Sequence, residues 1–226
     1  MKPSGVLIGL CVLCFLFAVA PTAFADQVTL TFQEGDGGAY STTYGATVHR
    51  YFPVGNGTGP TLYASYSLTN TWDIDEELGF LAFPMIIGNN PGQIPPGATI
   101  ESAFLQLTRV NYSTQTALLR LMQASWDENT ITGANYHDTK AIIAEIPSGS
   151  GVKSVIVTAN VQAWVSVGGN YGFEIWAGLP GTLYSEGFFS DDAATIADRP
   201  LLSVTFTPPL TPVEPSTWGK VKALYR

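Results

Sequence analysis

The sequence is poor in cysteine, histidine and charged residues. Its 226 residues include two cysteines and two histidines, and only 12% are Asp, Glu, Lys or Arg. Both cysteines, Cys11 and Cys14, fall within the first 25 residues, so the remaining chain has no thiol for a disulfide, a nucleophile or a zinc site. His49 and His137 are isolated, which disfavours a catalytic triad or a histidine metal cluster. We therefore expect a protein that is not an enzyme.

The first 25 residues have the layout of a secretory signal peptide. Lys2 precedes an apolar run over residues 6–20, and the small residues Ala23 and Ala25 precede a cleavage site after Ala25. A transmembrane anchor is the alternative interpretation, but the run is short for crossing a bilayer. We expect a secreted protein, extracellular or at the cell surface, that does not span a membrane after cleavage.

The chain is also short of positive charge. Residues 26–207 hold 6 basic and 17 acidic residues, a net charge of −11. A phosphate backbone would be repelled by such a domain, so nucleic acid is not an expected partner.

Short alternating apolar runs dominate the chain after residue 25. In residues 102–108, for example, Ala103, Leu105 and Leu107 occupy one face of a predicted strand. Gly, Pro and Asn clusters separate these runs, as expected for turns between strands. The pattern predicts one all-β domain over residues 26–207, a jelly-roll β-sandwich of eight or nine strands. The predicted strands are 28–32, 47–52, 61–66, 78–83, 102–108, 116–123, 152–157, 172–177 and 202–206.

Two segments depart from this alternation. Val161, Trp164 and Val165 have helical spacing and predict one short helix, capped near Thr158 or Asn160 and ended by two glycines. Residues 208–226 form a Pro-rich linker followed by a short basic tail. The tail is interpreted as a sorting or attachment tag with its own partner, or as a frayed terminus.

Several short sequence motifs occur in an order and spacing known from one family. The two most specific are the stretch Trp126-x-Glu128-x-Thr130-x-Thr132 and the ending Ser190-x-Asp192-Ala193 followed by Arg199-Pro200-x-Leu202. Over residues 28–207 the chain resembles the DNRLRE domain family, which is similar to carbohydrate-binding module family 96. The resemblance implies a jelly-roll fold in a secreted or cell-wall protein and binding to a polysaccharide such as alginate. Residues 88–92 are an insertion relative to the family pattern.

Sugar recognition requires exposed aromatic rings that stack on pyranose faces, together with polar groups that bind hydroxyls. Trp176 alternates with Phe173 and Ile175, so we expect Trp176 and Glu174 to face outward from one strand. The alternative is that a neighbouring loop covers them. The carbohydrate-binding candidates are Trp72, Trp176, Tyr63, Tyr136 and Glu174.

Acidic residues in two predicted loops could hold Ca²⁺ if those loops meet. The candidate metal ligands are Asp127, Glu128, Asp191 and Asp192. The alternative is structural: Trp126 packs in the core, Glu128 caps a turn, Asp191 accepts local backbone hydrogen bonds and Arg199 pairs with one of the acids. No other cofactor is expected.

Two functions are compatible with these features. The first is a secreted, non-catalytic carbohydrate-binding module whose partner is a polysaccharide or another cell-wall or matrix component. The second is a structural or adhesive surface protein that binds protein subunits. A glycoside hydrolase or polysaccharide lyase is disfavoured, because no carboxylates stand in a pattern that predicts a catalytic pair.

Overall fold

A computed structural model describes residues 26–38, 40–51, 55–56, 59–70, 73–136, 141–178 and 184–210. The predicted signal peptide, residues 1–25, and most of the linker and tail, residues 211–226, lie outside these ranges. Within them, no helix is both long enough and apolar enough to cross a bilayer.

The described residues form an all-β structure with one α-helix and one 3₁₀ helix. The elements are β1 (Val28–Phe32), β2 (Tyr44–His49), β3 (Gly55–Asn56), β4 (Thr61–Asn70), β5 (Asp73–Ala82), β6 (Thr99–Ser113), β7 (Ala117–Leu121), β8 (Ile142–Ile146), β9 (Gly149–Ile156), α1 (Thr158–Val167), β10 (Phe173–Trp176), β11 (Tyr184–Phe189), η1 (Ile196–Asp198) and β12 (Leu201–Thr207). The nine predicted strands are confirmed with shifted ends. The strands β3, β8 and β11 were not predicted.

All strand pairs are antiparallel and run in the order β1-β12-β6-β11-β4-β5-β10-β7-β8. Strand β9 pairs with β6, and β2 pairs with β5 and β3. Phe32 near one end of this order and Ile146 at the other belong to the same buried cluster. The sheet therefore folds over on itself and encloses the core, which is consistent with an all-β sandwich.

The core is built by the alternation seen in the sequence. Ala103, Leu105 and Leu107 of β6 are fully buried. The alternate residues of β12 face the same interior, and Leu202 is paired directly with Leu105. Because successive side chains of a strand point to opposite faces, the intervening residues form the outer surface of the sheet.

The helix α1 packs against β6 and contributes Val161, Trp164 and Val165 to the core, as predicted. The predicted cap is wrong: the helix begins after Val157, and no side chain caps it. The Thr158 hydroxyl instead accepts a hydrogen bond from the Ala103 backbone N–H, at 2.9 Å, because it faces β6 rather than the first turn. Gly168, with a φ of 81°, ends the helix at the predicted place.

A second apolar cluster lies on the outer face of β2 and β5. Phe80 and Leu78 of β5 are buried there beneath residues 122–136, which supply Met122 and Ile131. Trp126 packs at its margin, 5.8 Å from the Phe80 ring, and its indole N–H donates to the Tyr171 carbonyl oxygen. This part of the sheet is therefore shielded from solvent on both faces.

Candidate functional site

Glu174 and Trp176 lie on the same face of β10, but that face is covered. Glu174 is fully buried and accepts a hydrogen bond from Arg120, at 3.1 Å. The Arg120 guanidinium carbon lies 3.5 Å from the centre of the Trp176 ring, whose N–H donates to Glu76 at 2.7 Å. The expectation that both side chains face solvent is therefore wrong for Glu174, and Trp176 is half-buried with Arg120 against its ring.

The other predicted sugar contacts do not join Trp176 in a single solvent-exposed binding surface. Tyr136 is half-buried in the second apolar cluster, where its ring lies 6.0 Å from that of Phe80. Tyr63 on β4 is 42% exposed and remains available to a ligand. Trp72 lies outside the described residues. Of the predicted rings that the structure describes, Tyr63 is thus the most accessible.

The outer surface of β1, β12, β6 and β9 was not predicted as a site. Residues paired directly across antiparallel strands share a face, and the pairings give rows such as Thr31-Ser203-Phe104-Ile156. We call this surface the uncharged face. It consists of Thr29, Thr31, Ser102, Phe104, Gln106, Thr108, Val152, Ser154, Ile156, Leu201, Ser203 and Thr205.

The uncharged face combines hydroxyl and amide groups with exposed apolar side chains. The hydroxyls of Thr29 and Thr205 are hydrogen-bonded across the strands at 2.9 Å, and Phe104 is 37% exposed beside them. Part of the face lines a cleft of about 250 Å³, with Gln33 and Arg199 at its wall. The sequence does carry a signal for this face, since the outward positions in its paired rows contain no Asp, Glu, Lys or Arg; Glu101, at the bulge of β6, is an exposed acid at its margin and accepts a hydrogen bond from Thr207 at 2.9 Å.

The predicted metal ligands lie in loops that do meet, beside Gly45 of β2. Glu128 accepts a hydrogen bond from the Gly45 backbone N–H at 3.2 Å, and any side chain at position 45 would collide with Asp191 Oδ1. Glu34 also approaches, and it accepts a hydrogen bond from the Thr43 N–H at 2.9 Å. We call Glu34, Glu128 and Asp191 the acidic loop cluster.

Asp127 and Asp192 are exposed neighbours of the acidic loop cluster. Asp127 accepts a hydrogen bond from the Asn129 N–H at 3.0 Å, which fixes its own turn. The Asp192 N–H donates to the Ser190 hydroxyl at 3.1 Å. Of the four predicted ligands, Glu128 and Asp191 therefore adjoin Gly45, while Asp127 and Asp192 lie outside the buried part of the site.

The structural alternative for these acids is wrong for Glu128 and Arg199, and it is correct for Asp191. Glu128 binds the amide of Gly45 instead of capping its own turn. The Asp191 carboxyl accepts a hydrogen bond from its own backbone N–H, as that alternative expects, although its Oδ1 atom is buried and has no hydrogen-bond partner. Arg199 donates to the carbonyl oxygens of Ala193 and Glu34, and it forms no ion pair with an acidic side chain in the described ranges. Each detail follows from loops that the sequence could not place against one another.

Burial changes the ionisation of the cluster. Asp191 is only 5% exposed, and burial followed by the negative charge of Glu128 raises its pKa to about 8. Burial also raises the pKa of Glu128, an effect that its hydrogen bond from Gly45 opposes and the charge of Asp192 reinforces. Both carboxyls thus favour the protonated form more than an ordinary surface carboxyl does.

Buried ion pairs account for other charged residues of the interior. Arg109 and Glu186 pair in the core, and Arg109 also donates to the Pro147 carbonyl oxygen at 3.2 Å. Arg50 pairs with Glu76 at 2.8 Å. These groups are satisfied by one another, so we assign them to stability.

No family model matches this sequence, and no curated protein matches it significantly. Among the described residues, no group of three or more His, Cys, Asp or Glu side chains is arranged to hold a metal ion by itself. Two surfaces remain as candidates for function. They are the uncharged face, which can bind a neutral ligand, and the acidic loop cluster.

Proposed function

We propose that this protein is a secreted, non-catalytic carbohydrate-binding module with a jelly-roll sandwich fold, and that it binds an uncharged polysaccharide on the uncharged face. The observation that carries the proposal is the composition of that face. It offers rows of Thr, Ser and Gln side chains around the exposed Phe104 ring, in a domain whose net charge is −11. The resemblance to the DNRLRE family supports binding to a polysaccharide but not the choice of an uncharged one, because alginate, the ligand it implies, is anionic.

The chemistry of the face fits sugar rings. Threonine, serine and glutamine side chains both donate and accept hydrogen bonds, as sugar hydroxyls do. Phe104 and Ile156 supply apolar area on which the C–H face of a pyranose can rest. An anionic chain would be repelled by the surrounding acidic domain, whereas a neutral chain would not.

The carboxylates with raised pKa values do not fit glycoside hydrolysis. Asp191 is buried, and its Oδ1 faces Gly45 rather than a cleft. A general acid must reach the glycosidic oxygen, which this placement prevents. We therefore assign no catalytic role to this pair.

Replacing Phe104 with alanine should weaken glycan binding roughly tenfold, because it removes about 1–2 kcal/mol of apolar contact. The measurement is affinity electrophoresis of the folded protein in gels containing hydroxyethylcellulose or galactomannan, with alginate as the anionic comparison. Wild-type protein should be retarded by at least one neutral polymer.

Tyr171→Ala is the matched control, since Tyr171 is 36% exposed, close to the 37% of Phe104, and lies between α1 and β10, outside the strands of the uncharged face. Its retardation should equal that of the wild type. The proposal fails if no neutral polymer retards the wild type, or if Phe104→Ala and Tyr171→Ala behave alike.

A surface for subunit assembly is the second candidate, favoured by one observation. Strand β9 pairs only with β6 among the described residues, and it exposes Val152 and Ile156. An unpaired edge with apolar side chains can add a strand from another chain. If light scattering shows assemblies that Val152→Lys dissolves, and no polymer retards the protein, this second function is the correct one.

A further inference from the structure

Two buried oxygen atoms beside the acidic loop cluster have no hydrogen-bond partner. They are Asp191 Oδ1 and Thr43 Oγ1, and they account for two of the three such side-chain atoms in the described residues. Asp191 is 5% exposed and Thr43 is 3% exposed, so bulk water does not replace the missing partners. Thr43 Oγ1 faces the Tyr40 hydroxyl, but that hydroxyl donates to the Thr42 carbonyl oxygen, so Thr43 Oγ1 keeps its lone pairs.

Unpartnered buried oxygens next to other carboxylates are unfavourable without a positive charge. A buried polar atom without a partner destabilises a folded protein by about 1–3 kcal/mol, and more if it is ionised. Here Asp191 also faces the like charges of Glu128, Asp192 and Glu34. Within the described ranges, no Lys, Arg or His nitrogen lies within ion-pair distance of these acids.

We propose that Asp191, Glu128 and Thr43 bind one calcium ion beside Gly45. All three supply oxygen atoms, and Ca²⁺ prefers oxygen ligands in an irregular shell that water can complete. Gly45 is required because a side chain there would occupy the position of Asp191 Oδ1. The loops β1–β2, β7–β8 and β11–β12 each contribute a residue, so the ion would join three separate parts of the chain.

The site has two carboxylate ligands, with Glu34 held by the Thr43 amide. Because no third His, Cys, Asp or Glu side chain completes a ligand group among the described residues, Thr43 and water would have to supply the remaining oxygen atoms. Few charged ligands give modest affinity, so we expect a dissociation constant on the order of 10⁻⁴ to 10⁻³ M. Mg²⁺ should bind more weakly, because it demands a near-ideal octahedral shell.

The test is calcium titration of the full chain after chelation and dialysis, without any polysaccharide. Isothermal titration calorimetry or equilibrium dialysis should give one saturable site, and thermal unfolding should shift to higher temperature as calcium is added. Asp191→Asn and Glu128→Gln should each weaken binding at least tenfold. The Gln side chain can still accept the hydrogen bond from Gly45, so Glu128→Gln tests the charge while keeping the loop in place.

Asp192→Asn is the matched control, because Asp192 lies in the same loop and is exposed. Its affinity should stay within about threefold of the wild type, the range expected for a nearby charge that is not a ligand. The proposal is overturned if the folded wild type binds no calcium in the millimolar range, or if Glu128→Gln and Asp192→Asn change affinity equally. Since no glycan is present, a negative result leaves the glycan-binding proposal unaffected.

Discussion

Arg109→Met should destabilise the protein by about 3–5 kcal/mol, the usual effect of removing one partner from a buried ion pair. The Arg109 side chain is fully buried. It pairs with Glu186, donates to the carbonyl oxygens of Pro147 and Gln115, and lies 4.8 Å from the Phe188 ring centre. Methionine can fill much of the space but leaves Glu186 as a buried charge.

Urea unfolding followed by circular dichroism measures this effect. The informative comparison is the double variant Arg109→Met with Glu186→Leu, which removes both charges. Replacing a whole buried ion pair by apolar residues is often neutral, so the double variant should recover most of the lost stability. Equal destabilisation in the single and double variants would show that packing, rather than an unpaired charge, explains the loss.

Without bound metal, the free energy of unfolding should decrease as the pH rises from about 4 to about 8, and Asp191→Asn should remove most of that decrease. The pKa of Asp191 is 3.8 in an unfolded chain and about 8 in the folded protein. In this window the folded state holds a proton that the unfolded state has lost, so raising the pH favours unfolding. The difference in pKa sets an upper bound of about 6 kcal/mol.

Urea unfolding at pH 4.5, 6, 7.5 and 9, after removal of metal, gives the measurement. Wild type and Asp191→Asn should be nearly equal at the lowest pH, with the variant more stable at pH 9 by a few kcal/mol and by no more than about 6 kcal/mol. The exposed Asp192→Asn variant should follow the wild-type profile. Parallel profiles for wild type and Asp191→Asn would show that Asp191 ionises normally.

Most strands whose inward positions are apolar were predictable, although β8 was missed despite its inward Ala144 and Ile146. Residues 102–108 and 202–206 are examples of predictable strands. In each segment apolar residues alternate with polar ones, and members of the apolar rows such as Leu105 and Leu202 are fully buried. The unpredicted strand β11 is different, since Glu186 occupies an inward position there and is neutralised by Arg109, 77 residues away. A local pattern cannot reveal a partner at that separation, so the buried charge concealed the strand.

The candidate sites were predictable only in part, for the same reason. The acidic residues in the loops suggested that Glu128 and Asp191 could come together. The sequence did not show that Gly45 donates its N–H to Glu128 and leaves room for Asp191 Oδ1, because these contacts depend on tertiary structure. Glu174 has the outward position expected from its alternation on β10. It is buried because residues 122–136 form a further layer over that region, and nothing in β10 itself signals this layer.

The pairing of β1 with β12 has a consequence for how the chain folds. Thr29 and Thr205, which are 176 residues apart in sequence, touch across these strands. A sheet whose first and last strands are partners has many distant contacts, which slows folding relative to a helical protein of similar size. During synthesis, β1 and β6 cannot pair with their shared neighbour β12 until residues Leu201–Thr207 have emerged from the ribosome. The growing chain thus carries two open hydrogen-bonding edges until β12 has been synthesised, a period in which it is exposed to aggregation.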